Sequence, residues 1–418
     1  MRYSIITLGC KVNAYESEYY SEQLRQRGHE RDDENFDVCI INTCTVTNTA
    51  AAKSRQMIHR ARKKQPQARI VVVGCFAQTA GDEEKEALGA DLIIGAQGKA
   101  KLPELAERLW LDETCDLTSL EESTGFESMP IHTFEGRKRA FVKIQDGCNQ
   151  FCTYCAIPFA RGRERCLNGD QAVAMVRELE QAGMEEIVLT GIHTGRYAWE
   201  GHDLAWLIGQ MLEATERVCF RISSIEITEV SDALLALMKE NRRVLPHLHI
   251  PIQSGSDGVL QRMGRPYTVA QFSQRMDEIR AMVPDISVST DVMCGFVGET
   301  EEEFAQMLDT LKRLRFSFLH VFPYSERKGT KASRMGHPVH GAVARQRTEA
   351  LLKLSAQLRQ QDMARFDHGT VLVERGSQGT YTGYTEQYHP VTIHSETPVS
   401  GRVSGRLVVV DGGYEMEV

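Results

Sequence analysis

Short apolar runs alternate with amphipathic stretches along almost the whole chain. Tyr3–Leu8, Asp37–Asn42, Arg69–Gly74 and Asp91–Ile94 have strand length and β-branched character. Between and after them, apolar positions at helical spacing predict helices over Ala14–Arg27, Thr49–Lys64, Asp82–Leu88 and Lys101–Trp110. That alternation predicts a doubly wound parallel sheet for residues 1–112. The periodicity weakens over Asp112–Pro130, where Glu, Ser and Thr dominate, so residues 113–137 read as a linker. From Arg139 the alternation restarts. Strands are expected at Ala140–Gln145, Glu186–Thr190, Cys219–Ser223, His247–Ile250, Ser287–Asp291 and Ser317–Val321. Helical patterns fill the gaps, among them Gly169–Ala182, Leu204–Glu213, Thr268–Met282 and Thr300–Arg313. Six such units predict an incomplete (β/α)6 barrel over residues 138–366, closed by a helix at Val343–Arg365, with its chemistry at the C-terminal strand ends. Beyond it, short alternating runs at Thr370–Glu374, Gly379–Tyr384, Val391–His394 and Leu407–Asp411 predict a small antiparallel β-barrel over residues 367–418. The fold class is α/β with three domains.

Composition narrows the function. With 42% hydrophobic and 25% charged residues the chain is an ordinary globular one. A net charge of −8 argues against nucleic-acid binding through overall basicity, so any such surface is local. One candidate is Lys53–Arg69, whose seven basic residues are interrupted by no acidic one; a solvated helix face is the other reading. A second candidate is the seam between Lys312–Arg334 and the C-terminal barrel, where Tyr381, Tyr384, Tyr388 and His389 offer rings for base stacking. Ile5–Cys10 is too short for a signal segment, and no apolar run approaches the roughly 18 residues of a membrane span. A cytoplasmic protein without membrane contact is expected. Eleven cysteines in so long a chain point to a reduced compartment and metal ligands rather than disulfides.

The cysteines carry the chemistry. Cys148, Cys152 and Cys155 stand at C-x3-C-x2-C spacing in the first loop of the predicted barrel. Three thiolates can hold three corners of an iron–sulfur cubane and leave one iron open. A structural zinc knuckle is the alternative, but it needs a fourth N or S ligand, and no His lies near in sequence. Cys10, Cys44 and Cys75 each follow or end a separate strand of the first sheet, so they should converge at its carboxyl edge. Three inert buried cysteines are the competing reading, and it suits Cys39, Cys219 and Cys294. The other strand-end loops are polar or glycine-rich: Thr190–Gly195, Ser223–Glu226, Pro251–Ser256 and Gly295–Glu299. Glu226 and Gln253 could hydrogen-bond a ribose or an amino acid moiety. His193, His247 and His249 have no partner nucleophile in sequence and read as structural. There is no Walker-type loop and no H-E-x-x-H zinc site.

The triplet, preceded by Ala140-Phe141-Val142-Lys143-Ile144-Gln145, resembles the signature of radical S-adenosylmethionine enzymes. Leu8-Gly9-Cys10-Lys11-Val12-Asn13, Asn42-Thr43-Cys44-Thr45-Val46-Thr47 and Gly74-Cys75-Phe76-Ala77-Gln78 resemble the N-terminal domain of the methylthiotransferases within that group. The resemblance spans essentially the whole chain. It implies two [4Fe-4S] clusters, on Cys148/Cys152/Cys155 and on Cys10/Cys44/Cys75. It also implies S-adenosyl-L-methionine bound through the open iron, with Tyr154, Thr190, Gly191, Glu226 and Gln253 at the cofactor, and a C-terminal RNA-binding barrel of the TRAM type. The implied reaction is a transferase one: methylthiolation of C2 of N6-threonylcarbamoyladenosine at position 37, in a tRNA anticodon stem-loop. Electrons and sulfur would come from outside. Lys11-Val12-Asn13 and Ala50–Arg55 resemble the threonylcarbamoyl branch most. Isopentenyladenosine or a ribosomal-protein aspartate are the alternative substrates, and a non-catalytic metal-binding RNA-binding protein is the alternative class. Asn13 and Asn42-Thr43 flank the implied ligands, where hydrogen bonds to sulfur and ordinary turn roles both fit. Cys166 stands where relatives usually carry Ser and is not expected to be a ligand.

Overall fold

The strands Arg2–Thr7, Val38–Thr43, Arg69–Gly74 and Leu92–Ile94 lie side by side in that order, all parallel. A two-residue strand, Glu30–Arg31, extends the outer edge. They belong to a computed structural model that describes the chain except residues 46–47, 114, 116–124, 135 and 418. Every residue of Val38–Thr43 is buried, as a central parallel strand with both faces covered must be. The first helix runs over Lys11–Gln26, three residues ahead of its apolar pattern, because Cys10 is extended and serves as its N-cap. In the basic stripe, Arg55 pairs with Glu84, Arg62 with Asp91, Lys64 with Glu34, and Arg69 with Asp91 and Asp112. Lys53, Arg60 and Lys63 stay exposed. Much of the predicted linker, like Val46 and Thr47, lies outside the described residues. Its end is not a spacer: Met129, Ile131 and Phe134 are buried in the core shared by the first two domains, and the Tyr15 hydroxyl donates to the Met129 carbonyl.

The barrel strands are Arg139–Lys143, Glu186–Thr190 and Cys219–Ile222, then His247–His249, Ser287–Cys294 and Phe318–Pro323. Each trio is parallel, and the bridges Phe220↔Val244 and Ser224↔His249 join the halves into one curved wall. The helix Gly341–Met363 packs on the last strand. Five strands then close a small barrel: His368–Ser377, Thr380–Thr385, Pro390–His394, Gly401–Val410 and Gly413–Glu417. The last was not expected from the pattern, since only Asp411 and Gly412 separate it from its partner. Among the described residues no helix is long and apolar enough to cross a membrane.

A buried ionic seam holds the C-terminal barrel against the first barrel strands. Arg139 and Arg221 both grip Glu186, at 2.8 and 2.7 Å, and Arg139 also pairs with Glu374. Arg221 donates onward to the carbonyls of Thr385 and Glu386, and its guanidinium lies 4.7 Å from the Tyr388 ring centroid.

Candidate active site

Strand order settles where the scattered cysteines go. Cys10, Cys44 and Cys75 leave the carboxyl ends of three adjacent strands. Asn13 ties their loops together, its amide donating to the carbonyls of Leu8 (2.7 Å) and Thr43 (3.0 Å). Gly9 has a φ of +105°, and a Cβ there would sit 2.9 Å from Cys44 Cβ and 3.0 Å from its Sγ. Only glycine lets the first loop approach the second this closely. Of the residues flanking these thiols, Asn13 reaches a sulfur, with Cys10 Sγ 3.8 Å from its Oδ1. Asn42 and Thr43 instead bond backbone carbonyls, those of Asn13 and Val73. Both sit at the end of the strand Val38–Thr43 and tie it to neighbouring elements.

The triplet loop is held from several sides. Thr153 donates from its amide to Met263 and from its hydroxyl to Arg262, and accepts from the Ala332 amide. The amides of Gln150 and Ile157 donate to Cys148 and Cys155, at 3.3 and 3.4 Å. Arg265 Nη1 lies 3.4 Å from Cys152 Sγ, and the same guanidinium pairs with Glu226 and donates to the Tyr267 hydroxyl. Burial pushes the Cys155 thiol up to about 12 and raises Cys152 despite Arg265.

One short helix connects the two trios. Ile157–Arg161 begins two residues after Cys155, and at its far end Arg161 donates from Nε to Cys75 Sγ at 3.2 Å. Five helical residues rise only about 7.5 Å. Arg161 also reaches Glu16 (3.0 Å), Asp146 (3.3 Å) and Asn13 Oδ1 (2.8 Å), and its side chain is completely buried. Lys99 and Lys143 complete the group, bonding Glu16 and Asp146. Burial works against the Glu16 charge, but Arg161, Lys99 and Lys143 outweigh it and hold that carboxyl at about 2.

Between the domains lies a cavity of about 680 Å³. Its wall includes Cys10 and Lys11, the strand-end residues Thr190 and Gly191, and Tyr384 and Tyr388 of the C-terminal barrel. Of the residues expected at the cofactor, Thr190 and Gly191 face this cavity. Glu226 lies on the triplet side through Arg265, and Tyr154 packs edge-on to Phe296 at 6.3 Å. Gln253 has a left-handed φ of +66°, bonded through its backbone to Asp291 and Met293. Tyr384 and Tyr388 stack on each other at 4.6 Å, while His389 is buried against Asp362.

His193, which its sequence context marks as structural, lies beside the triplet. Its Nδ1 stands 3.6 Å from Cys148 Sγ and 3.4 Å from Glu164, while its Nε2 lies 2.8 Å from Glu229. Burial opposes its charge, yet the bonds to Cys148 and Glu229 raise it to about 10. Its position in the Thr190–Gly195 loop was the available signal. Cys166 turns away, its sulfur accepting from the Ala198 amide at 3.3 Å. Cys39, Cys219 and Cys294 are buried in strands.

Comparison with known proteins agrees with this architecture. Residues 2–95 match the Uncharacterized protein family UPF0004, and residues 142–311 match the Radical SAM superfamily. A threonylcarbamoyladenosine tRNA methylthiotransferase of Bacillus subtilis is 37% identical, covering 98% of this chain and 93% of its own length. A tRNA-2-methylthio-N6-dimethylallyladenosine synthase of a Thermoanaerobacter species is 33% identical over 85% of this chain and 78% of its own. Among solved structures, a radical S-adenosylmethionine methyltransferase from Kitasatospora setae superposes with a TM-score of 0.58. The superposition covers 77% of this chain and 74% of that one, at 13% identity, and shows a shared fold.

Proposed function

The chain belongs to the radical S-adenosylmethionine tRNA methylthiotransferases, and from that membership we propose that it adds a methylthio group to C2 of N6-threonylcarbamoyladenosine at tRNA position 37. The observation that carries this reading is the helix Ile157–Arg161, which brings the two cysteine trios to opposite ends of five residues. A hydrogen-abstracting centre and a sulfur-bearing centre must serve the same substrate carbon, and this spacing allows it.

The residues fit two cubanes. Around Cys75, the buried cations Lys99, Lys143 and Arg161 outnumber the carboxylates Glu16 and Asp146, and the surplus charge faces sulfur. Such an imbalance suits an anionic thiolate cluster. Around the triplet, amide donors and Arg265 play that part. Cys148, Cys152 and Cys155 would hold one cluster and Cys10, Cys44 and Cys75 the other. When bound, the clusters and S-adenosylmethionine supply the reducing electron, the hydrogen-abstracting radical and the transferred sulfur, with electrons and sulfur replenished by external partners. A side-chain base has no route here, since an aromatic C–H is not acidic enough for one near neutral pH. The protein's share is positional. Arg161 and Asn13 fix the Cys10 and Cys75 segments, Arg265 orients Cys152 and Glu226, and Thr190 and Gly191 line the cavity that Cys10 also lines. Rings on the C-terminal barrel, with the neighbouring basic segment, would hold the anticodon stem-loop.

Nucleoside mass spectrometry of tRNA from a deletion strain tests the assignment. The 2-methylthio-threonylcarbamoyl nucleoside should disappear and its unmethylthiolated precursor accumulate. Loss of only the methylthio-isopentenyl nucleoside would reject it.

A further inference from the structure

We propose that Lys11 and Arg359, two cations lining the cavity between the domains, form the site that recognises a carboxylate on the N6 substituent of the substrate adenosine. The inference rests on the function proposed above and adds the residues that select among substituents.

Several interior cations meet a carboxylate: Lys99 and Arg161 meet Glu16, Arg139 and Arg221 meet Glu186, and Arg265 meets Glu226. Neither the Lys11 nor the Arg359 side chain makes an ion pair or hydrogen bond with another described residue. Each rests on an aromatic face: Lys11 Nζ is 5.7 Å from the Tyr388 ring centroid, and the Arg359 guanidinium carbon is 3.9 Å from that of Phe318. Both line the same 680 Å³ cavity. The acid in that wall, Asp291, is engaged by His249 at 3.3 Å. Between them His320 is pushed down to about 4, first by burial and then by His249, Lys11 and Arg359, with Asp291 opposing. Among the described residues, no carboxylate forms an ion pair with either cation, and Asp291 is the acid that lines the cavity with them.

A volume of 680 Å³ accommodates a modified nucleoside. Tyr384, Tyr388 and Phe318 line the same cavity as the two cations. A threonylcarbamoyl substituent ends in a carboxylate, whereas a dimethylallyl group is hydrocarbon. Placing the hydrocarbon in this lobe would leave two half-buried cations facing it, so one pair of charges both attracts the first and rejects the second. Lys11 directly follows Cys10, which fixes the carboxylate contact relative to the sulfur-bearing trio.

The test uses the anaerobically reconstituted protein and synthetic anticodon stem-loops that differ in one group. One carries threonylcarbamoyladenosine and the other its neutral carboxamide. Wild-type protein should prefer the carboxylate RNA by about 30-fold or more in kcat/KM, mostly through KM. K11Q and R359Q should each abolish the preference by losing on the carboxylate RNA alone, and K11R should keep it. Equilibrium binding of the two RNAs should show the same order without turnover. Because Lys11 adjoins Cys10, any loss of iron in K11Q leaves R359Q, on a separate helix, to decide. Equal treatment of both RNAs by wild-type protein, or equal losses on both in R359Q, would overturn the proposal. Turnover of a dimethylallyl stem-loop with none of the threonylcarbamoyl one would overturn the underlying function as well, and is recognisably different.

Discussion

Arg161 is the residue on which the two halves of the site meet. It is fully buried and donates to a thiol at the start of the helix Cys75–Thr79, to Asn13 and Glu16 of the helix Lys11–Gln26, and to Asp146 in a short strand. Removing it would strip Glu16 and Asp146 of their shared donor and open a void beside Cys75. R161A should lower unfolding free energy by about 3 kcal/mol or more, measured by urea denaturation. R161K keeps the charge but not the fork, and should fall between. Nothing in the sequence around Arg161 distinguishes it from Arg163 or Arg165. Its importance comes from Glu16, 145 positions away, and from Cys75, 86 away.

At the scale of single elements, the strand-end loops decide whether ligands can converge. Gly9 is the tightest point, because the first loop crosses within contact of Cys44 in a backbone conformation that side chains rarely adopt. G9A should therefore damage the Cys10/Cys44/Cys75 site and spare the triplet. Reconstituted iron should fall from about eight to about four per chain, by colorimetric iron assay, while cleavage of S-adenosylmethionine under dithionite persists. The C10A/C44A/C75A triple variant should behave the same way. A fall of both iron and cleavage to zero would mean the two sites fold as one. The helix that starts at Lys11 was placed late by its pattern because its cap is a cysteine, outside the Ser, Thr, Asp and Asn that mark helix starts.

Across the whole molecule, the Glu186 seam fixes the C-terminal barrel and so closes the cavity with Tyr384 and Tyr388. Burial disfavours the Glu186 charge, but Arg221 and Arg139 override it and hold the carboxyl at about 2. The sign follows: a lowered carboxyl stabilises fully above its unfolded value of about 4.3 and loses that contribution as pH falls toward 2. E186Q should be less stable than wild type by about 3 kcal/mol at neutral pH, and the gap should narrow between about pH 5 and pH 2 in urea titrations. Limited proteolysis should then release the C-terminal barrel first.

The sequence alone determined the α/β fold class and the family, and it pointed to two cysteine trios, because alternating periodicity and short-range spacing are local properties. Adjacent strands carry their following loops to one edge, so the strand pattern alone groups three lone cysteines. Only the tertiary structure revealed Arg161 between the trios, His193 beside Cys148, the ion pairs of Arg55, Arg62, Lys64 and Arg69 in the basic stripe, and Lys11 with Arg359 in one cavity. Each of these is a charge whose role depends on which opposite charge lies within a few ångströms, and chain folding, not neighbouring sequence, sets that distance.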